Sequence, residues 1–289
     1  MAGLTRRMLT AGLASAASAC SVPGLFNTFA PRDPGGRRIA ESLPYAPGPR
    51  RTADVYAPVQ PAPPGGLPLL VFIYGGSWAS GDKGIYPFVG PTFAANGFVP
   101  VIPDYRLVPE VRFPGFVEDC ALAVTWALAN ARRWGADPDR LVLLGHSAGA
   151  YNAVTLTLDR RFLQAAGSDA SRIRGTAGLA GPYDFYPFDV DASRNAFGQY
   201  PDPRQTQPIN LVRGDAPPLF LATGLNDDTV RPRNTEALAR AQRAAGGRVE
   251  TATYPDLDHT GAVLALSRPF RGRAPVLRDV LAFYRSVLT

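Results

Sequence analysis

At 289 residues the chain can hold one large α/β domain or two average ones, and either buries an ample core. An apolar content of 46% and a charged content of 19% are those of an ordinary globular protein. The formal charge of +6 comes from arginines scattered along the chain, with Lys83 its single lysine, which argues against a nucleic-acid surface, and no apolar run in the body reaches membrane-spanning length.

The first residues differ from the rest. Thr5-Arg6-Arg7-Met8-Leu9 precedes a weakly apolar, Ala-rich segment that runs through Ala19, a charged region followed by a hydrophobic one. This arrangement resembles a twin-arginine export signal. Ala17-Ser18-Ala19-Cys20 resembles a bacterial lipoprotein cleavage box in which Cys20 becomes the lipidated first residue, with Ala17 where an aliphatic residue is usual. The expectation is export to the periplasm, with membrane attachment through Cys20. Lipidation of Cys20 would leave Cys120 without a partner for a disulfide. Cys120 itself lies in an apolar helical pattern and reads as a core residue.

Residues 21–50 are rich in Pro, Gly and Arg and read as a linker or N-terminal arm. Thr52 to Tyr56 alternates like an edge strand, and Leu69 to Tyr74 is an apolar run typical of a central one. Phe88 to Asn96 predicts a helix stopped by Gly97, and Phe98 to Ile102 the next strand. Phe116 to Trp134 places apolar residues at 117, 121, 124, 128 and 131, a helical spacing ended by Gly135. Leu141 to Leu144 predicts a buried strand. Further strands are expected at Ile173 to Leu179, Leu219 to Thr223 and Val249 to Tyr254, with helices at Thr235 to Ala245 and Ala274 to Val287. Strands alternating with helices predict an α/β fold: a mostly parallel sheet with helices on both faces, one domain over residues 51–289. Gly181 to Pro217 has no obvious element and carries six aromatic residues, from Tyr183 to Tyr200. It reads as a small lid or as a surface excursion with packed rings.

The chain is organised around Gly145-His146-Ser147-Ala148-Gly149. A strand that reverses into a helix within five residues brings two backbones together, so small residues must flank the turn and the central residue is strained and exposed. A serine there has its hydroxyl lifted above the sheet at the start of the new helix, the nucleophile-elbow pattern. A serine hydroxyl needs a base within hydrogen-bond reach. Of the two histidines, His146 is turned away by the elbow, which leaves His259 in the loop after a late strand. A carboxylate must orient that base. After the strand at 219–223, Asp227 and Asp228 both qualify, Asp227 being preferred, with Asp256 and Asp258 in reserve. Amides for a developing oxyanion are offered by the glycine turn Tyr74-Gly75-Gly76-Ser77-Trp78 and by Ala148 after the serine.

With these motifs in this order, the span from about Thr52 to Leu288 resembles an α/β-hydrolase. The glycine turn, the stretch Asp104-Tyr105-Arg106-Leu107-Val108-Pro109-Glu110 and the elbow resemble carboxylesterases related to hormone-sensitive lipase. The glycine turn is also similar to that of kynurenine formamidases and feruloyl-type esterases. The resemblance implies a catalytic triad of Ser147, Asp227 and His259, with Gly224, Asp227 and Val230 in register with G-x-x-D-x-x-V. It implies oxyanion donors at Gly76, Ser77 and Ala148, and a bracing role for Asp104 to Glu110. Two positions depart from the pattern: Tyr74 replaces the opening histidine and Ser77 the third glycine, which leaves the amides in place and changes what flanks the acyl pocket.

The expected activity is hydrolysis of a small-molecule carboxylic ester, with short acyl chains favoured because no long cap interrupts the chain. An amide hydrolase (arylformamidase or peptidase) could use the same triad, and a non-catalytic binding protein could use the same fold. No cofactor or metal is expected, since neither histidine falls in a metal-ligand spacing.

Overall fold

The computed structural model describes residues 31–289, so the segments read as export signal and lipidation box, Cys20 included, lie outside the described residues. Eight strands hydrogen-bond into one sheet: β1 (Gly36–Pro44), β2 (Thr52–Pro58), β3 (Leu67–Ile73), β4 (Val99–Pro103), β5 (Ala136–His146), β6 (Ile173–Leu179), β7 (Leu219–Gly224) and β8 (Val249–Tyr254). Their order is β1-β2-β4-β3-β5-β6-β7-β8. The first two pairings are antiparallel and the remaining five parallel. Residues Leu69 to Ile73 and Leu141 to Leu144 are fully buried, which is why these strands read as continuous apolar runs rather than alternating ones.

The main helices are α1 (Val89–Ala95), α2 (Gly115–Asn130), α3 (Ala148–Leu158), α4 (Arg160–Ala165), α5 (Asp191–Phe197), α6 (Arg233–Ala244), α7 (His259–Leu264) and α8 (Val276–Val287). The step from β3 to β4 runs one way across the sheet, and the steps from β4 to β5 and onward run the other way. Right-handed crossovers therefore put α1 and the later crossover helices on opposite faces. From α8, Tyr284 packs its ring on Phe98 and donates its hydroxyl to the Leu143 carbonyl at 2.7 Å, tying the last helix to the central strand. The reversal leaves a crevice at the carboxyl ends of β3 and β5, the place where open α/β sheets bind ligands. Both the glycine turn and the elbow emerge there.

Three elements differ from the sequence expectation. The stretch 21–50, read as linker or arm, supplies β1, which pairs with β2 and is the true edge of the sheet. Consequently β2 is an interior strand; its alternation comes from Asp54, a buried carboxylate that binds Arg38 at 2.9 Å and the Ser42 amide at 2.9 Å. The polar residue marked a paired charge, not a wet face. The long helix ends at Asn130 and tightens into a 3-10 turn through Trp134, capped by Gly135 in the left-handed region. The 181–217 excursion holds α5 and two short 3-10 turns at Pro203–Thr206 and Pro208–Asn210. Its Phe185 and Phe197 pack against Trp78 and Tyr151, so the aromatic residues anchor the excursion over the crevice. Cys120 is buried in α2, as its pattern predicts.

Candidate active site

At the end of β5 the chain turns into α3 through Ser147, which holds φ 55° and ψ −126°. Such a backbone costs a non-glycine residue about 1–3 kcal/mol and persists only where the surroundings enforce it. They do so here by crowding. A side chain at Gly145 would overlap the Gly149 carbonyl, and one at Gly149 would overlap the Ile73 carbonyl of β3. The Ser147 amide donates to the Leu179 carbonyl at 2.9 Å, which pins the turn to β6. The strain is therefore carried by the packing of strand, turn and helix.

The strained turn presents Ser147 Oγ to His259, whose Nε2 lies 2.9 Å away. His259 opens α7, where Asp258 caps the helix by accepting the Gly261 amide at 2.6 Å. On the other side of the ring, His259 Nδ1 meets Asp227 Oδ2 at 2.8 Å. Asp227 is 3% exposed, and its second oxygen accepts the amides of Thr229 at 3.1 Å and Val230 at 2.8 Å. A carboxylate acceptor requires the proton on Nδ1, which leaves the Nε2 lone pair facing the serine hydroxyl. Ser147, His259 and Asp227 thus form one hydrogen-bonded chain, able to draw a proton from the serine and to stabilise the imidazolium that results. Asp228 is exposed, and Asp258 is used in capping.

The glycine turn closes on itself through Gly76, whose carbonyl accepts the amides of Ala79 and Ser80, both at 3.0 Å. Ser77 and Trp78 follow with φ of 53° and 58°. Ser77, Trp78, Ser147 and Ala148 share one cavity of about 520 Å³. It is also lined by Phe185, Asp189 and Val190 from the excursion and by Asp228, Thr229, Val230, Arg231 and Arg233 after β7. Sequence reading did not single out Asp189, Val190, Arg231 or Arg233, because nothing local marks a loop residue as lining a cavity. Trp78, part of the glycine turn, donates Nε1 to Asn152 Oδ1 at 3.2 Å, which fixes the turn against α3.

Tyr74, standing where the related motif opens with histidine, is buried, stacks on Tyr105 at 4.6 Å and accepts Arg50 Nη2 at 2.9 Å. The stretch from Asp104 to Glu110 braces the site. Asp104 accepts the Lys83 amide at 2.7 Å, and Arg106 makes paired contacts of 2.8 Å with the buried Asp119. His146 points away from the serine hydroxyl, as the turn predicts. Its Nε2 lies 3.0 Å from the His259 carbonyl and its Nδ1 2.9 Å from the Tyr86 hydroxyl. Burial first, and then the neighbouring His259, lowers its pKa to about 3. Among the described residues, no group of three or more His, Cys, Asp or Glu is arranged to hold a metal ion, and no helix is long and apolar enough to cross a membrane.

Residues 53–241, well over half of the chain, match the BD-FAE family. The chain belongs to the BD-FAE family, of α/β-hydrolase type. Among characterised relatives, this BD-FAE chain is 27% identical over 265 residues to the isoprenylcysteine alpha-carbonyl methylesterase ICME of Arabidopsis thaliana, covering 84% of the chain and 61% of the plant protein. It is 28% identical over 272 residues to esterase LipQ of Mycobacterium tuberculosis, covering 86% of the chain and 63% of LipQ. The chain thus spans about six tenths of the length of these relatives. Among solved structures, a truncated carbohydrate esterase from gut microbiota superposes with a TM-score of 0.77 at 18% identity, over 89% of this chain and 98% of the other. At that identity the likeness shows the fold, and it agrees with the mostly parallel sheet described above.

Proposed function

We propose that the protein is a serine hydrolase of carboxylic esters that works through Ser147, His259 and Asp227. The observation that carries this reading is the continuous chain of contacts from Asp227 Oδ2 to His259 Nδ1 at 2.8 Å and from His259 Nε2 to Ser147 Oγ at 2.9 Å, opening on a cavity. In the reaction, Ser147 Oγ attacks the ester carbonyl while His259 Nε2 takes its proton. Asp227 holds the tautomer and stabilises the imidazolium. Amides at Gly76, Ser77 and Ala148 receive the oxyanion, and each such donor is typically worth about 10²–10³ in kcat. His259 then protonates the leaving alcohol, and water, activated by the same ring, releases the acid from the acyl-enzyme. The esterase and methylesterase relatives support an ester rather than an amide substrate.

A preference for short acyl chains is part of this proposal. The cavity lining that holds Trp78 and Phe185 beside Ser147 also includes Asp189, Asp228, Arg231 and Arg233, so a long alkyl chain would have to lie beside charged side chains. The N-terminal segment supports a further proposal, that the enzyme is exported and held at the membrane through lipidated Cys20.

The test compares p-nitrophenyl acetate with N-formylkynurenine and an aminoacyl anilide, for the wild type and Ser147→Ala. Ester turnover abolished by the substitution is the expected result. Faster turnover of either amide would move the assignment to an amide hydrolase, and turnover surviving in Ser147→Ala would remove the nucleophile.

A further inference from the structure

We propose that His146 is a positioning residue for His259: a donor, held in one tautomer by Tyr86, that fixes the main chain from which the general base is presented. The inference rests on the hydrolytic reading above and adds to it a residue that never touches substrate.

The geometry determines the proton positions. His146 is 3% exposed, and its Nε2 lies 3.0 Å from the His259 carbonyl oxygen. A carbonyl can only accept, so Nε2 carries hydrogen. On the opposite edge, Nδ1 lies 2.9 Å from the Tyr86 hydroxyl. With the ring neutral, Nδ1 has a lone pair and accepts from the phenol, whose own proton is held more tightly because the group is buried. One partner that can only accept and one that donates select the Nε2–H tautomer between them. Tyr86 is seated in turn, with its ring edge-on to Phe72 of β3 at 5.9 Å and at 6.1 Å from Phe88. A rigid path therefore runs from the central sheet through Tyr86 and His146 to the backbone of His259.

Neutrality is as necessary as reach. The rings of His146 and His259 lie 4.9 Å apart, and His259 becomes an imidazolium in the proposed reaction. A cationic neighbour at that separation would oppose the charge that Asp227 is placed to stabilise. A buried imidazole donates a hydrogen bond without adding charge, which a lysine or arginine could not do. The side chain of His259 is oriented by Asp227, and its backbone is fixed by His146. Both are required to keep Nε2 within reach of Ser147, because small errors in the placement of reacting groups cost large factors in rate.

The test uses the full chain and three substitutions of His146. In Gln, the amide nitrogen reaches about as far as Nε2. In Asn it reaches only about as far as Nδ1, and Leu has no donor. With p-nitrophenyl acetate, His146→Gln should keep kcat within about threefold. His146→Asn and His146→Leu should lose about 10- to 100-fold in kcat with KM unchanged within about twofold. Phosphonylation of Ser147 by a p-nitrophenyl alkylphosphonate should slow in parallel with kcat, because it uses the same base and no deacylation. Tyr86→Phe, which frees the tautomer and keeps the packing, should fall between the two classes. Equal kcat for Gln and Asn variants, or losses appearing mainly in KM, would overturn the proposal and leave His146 as a packing residue. If His146→Leu does not fold, the Gln, Asn and Tyr86→Phe comparison decides the matter. Failure of the wild type to cleave the ester would instead refute the hydrolytic reading, an outcome separate from loss of the Gln–Asn contrast.

Discussion

His259 Nδ1 lies 2.8 Å from Asp227 Oδ2, while the adjacent Asp228 turns outward and lines the cavity. Two neighbouring carboxylates on one loop are thereby given unequal roles. Asp227→Asn should leave a folded protein that has lost about 10⁴ in kcat, because an amide in place of the carboxylate leaves the imidazole in the wrong tautomer. Asp228→Asn should stay within about tenfold of wild type, a barrier change near 1.4 kcal/mol. Steady-state kinetics on both variants at one pH checks this, and the reverse ranking would move the acid to Asp228.

The buried His146 makes stability depend on pH. Its pKa falls from an ordinary 6.5 to about 3 in the folded protein. Between those values the unfolded chain binds a proton that the folded one does not, so stability rises with pH across the window and is lost as pH falls below 6.5. The slope is about 1.4 kcal/mol per pH unit for one proton, and above 6.5 the contribution is constant. The other titratable groups facing His146 are His259 and Tyr86, with Asp227 beyond His259, and all three are retained in His146→Gln. Urea unfolding of the two proteins between pH 4.5 and 7.5 should therefore give curves whose slopes differ by about one proton below pH 6.5 and coincide above it. Parallel curves throughout would contradict the assignment of a neutral His146.

A series of p-nitrophenyl esters should give the highest kcat/KM at acetate or butyrate and fall steeply beyond. The reason is the charged side chains of Asp189, Asp228, Arg231 and Arg233 in the cavity lining. A maximum at palmitate would refute the short-acyl proposal.

Asp119 is fully buried and accepts from both Arg51 and Arg106, at 3.0 and 2.8 Å. Removing one member of such a cluster leaves charges without their partner. Asp119→Ala should therefore cost about 3 kcal/mol or more in unfolding free energy. It lies outside the cavity, so KM for the ester should not change in the folded fraction. Chemical denaturation together with KM separates the two effects.

The export proposal predicts that, on expression in a bacterium, Cys20→Ser should move the protein from the membrane fraction to the soluble one. Unchanged membrane association would argue against lipidation, and an intact leader on cytosolic protein would remove the export proposal as well.

What the sequence determined by itself is local in origin. Leu141 to Leu144 followed by Gly145-His146-Ser147-Ala148-Gly149 specifies a strand, a tight turn and a helix from side-chain sterics within a few residues, and the structure has that turn with Ser147 at φ 55°. The alternation of apolar runs and helical spacing likewise determined a mostly parallel α/β sheet. Tertiary structure alone decided whatever depends on partners distant in the chain. Asp54 reads as a solvent-facing position until Arg38 of β1 is set beside it, and β1 itself is polar because an edge strand buries little. Position after β7 leaves Asp227 and Asp228 both open and only the resemblance to G-x-x-D-x-x-V favours Asp227; the structure brings Asp227 to a histidine 32 residues further on and leaves Asp228 exposed. His146 is legible as turned away from the serine. That it then holds the carbonyl of His259, 113 residues away, follows from the sheet bringing two loop ends together, a geometry no local pattern contains.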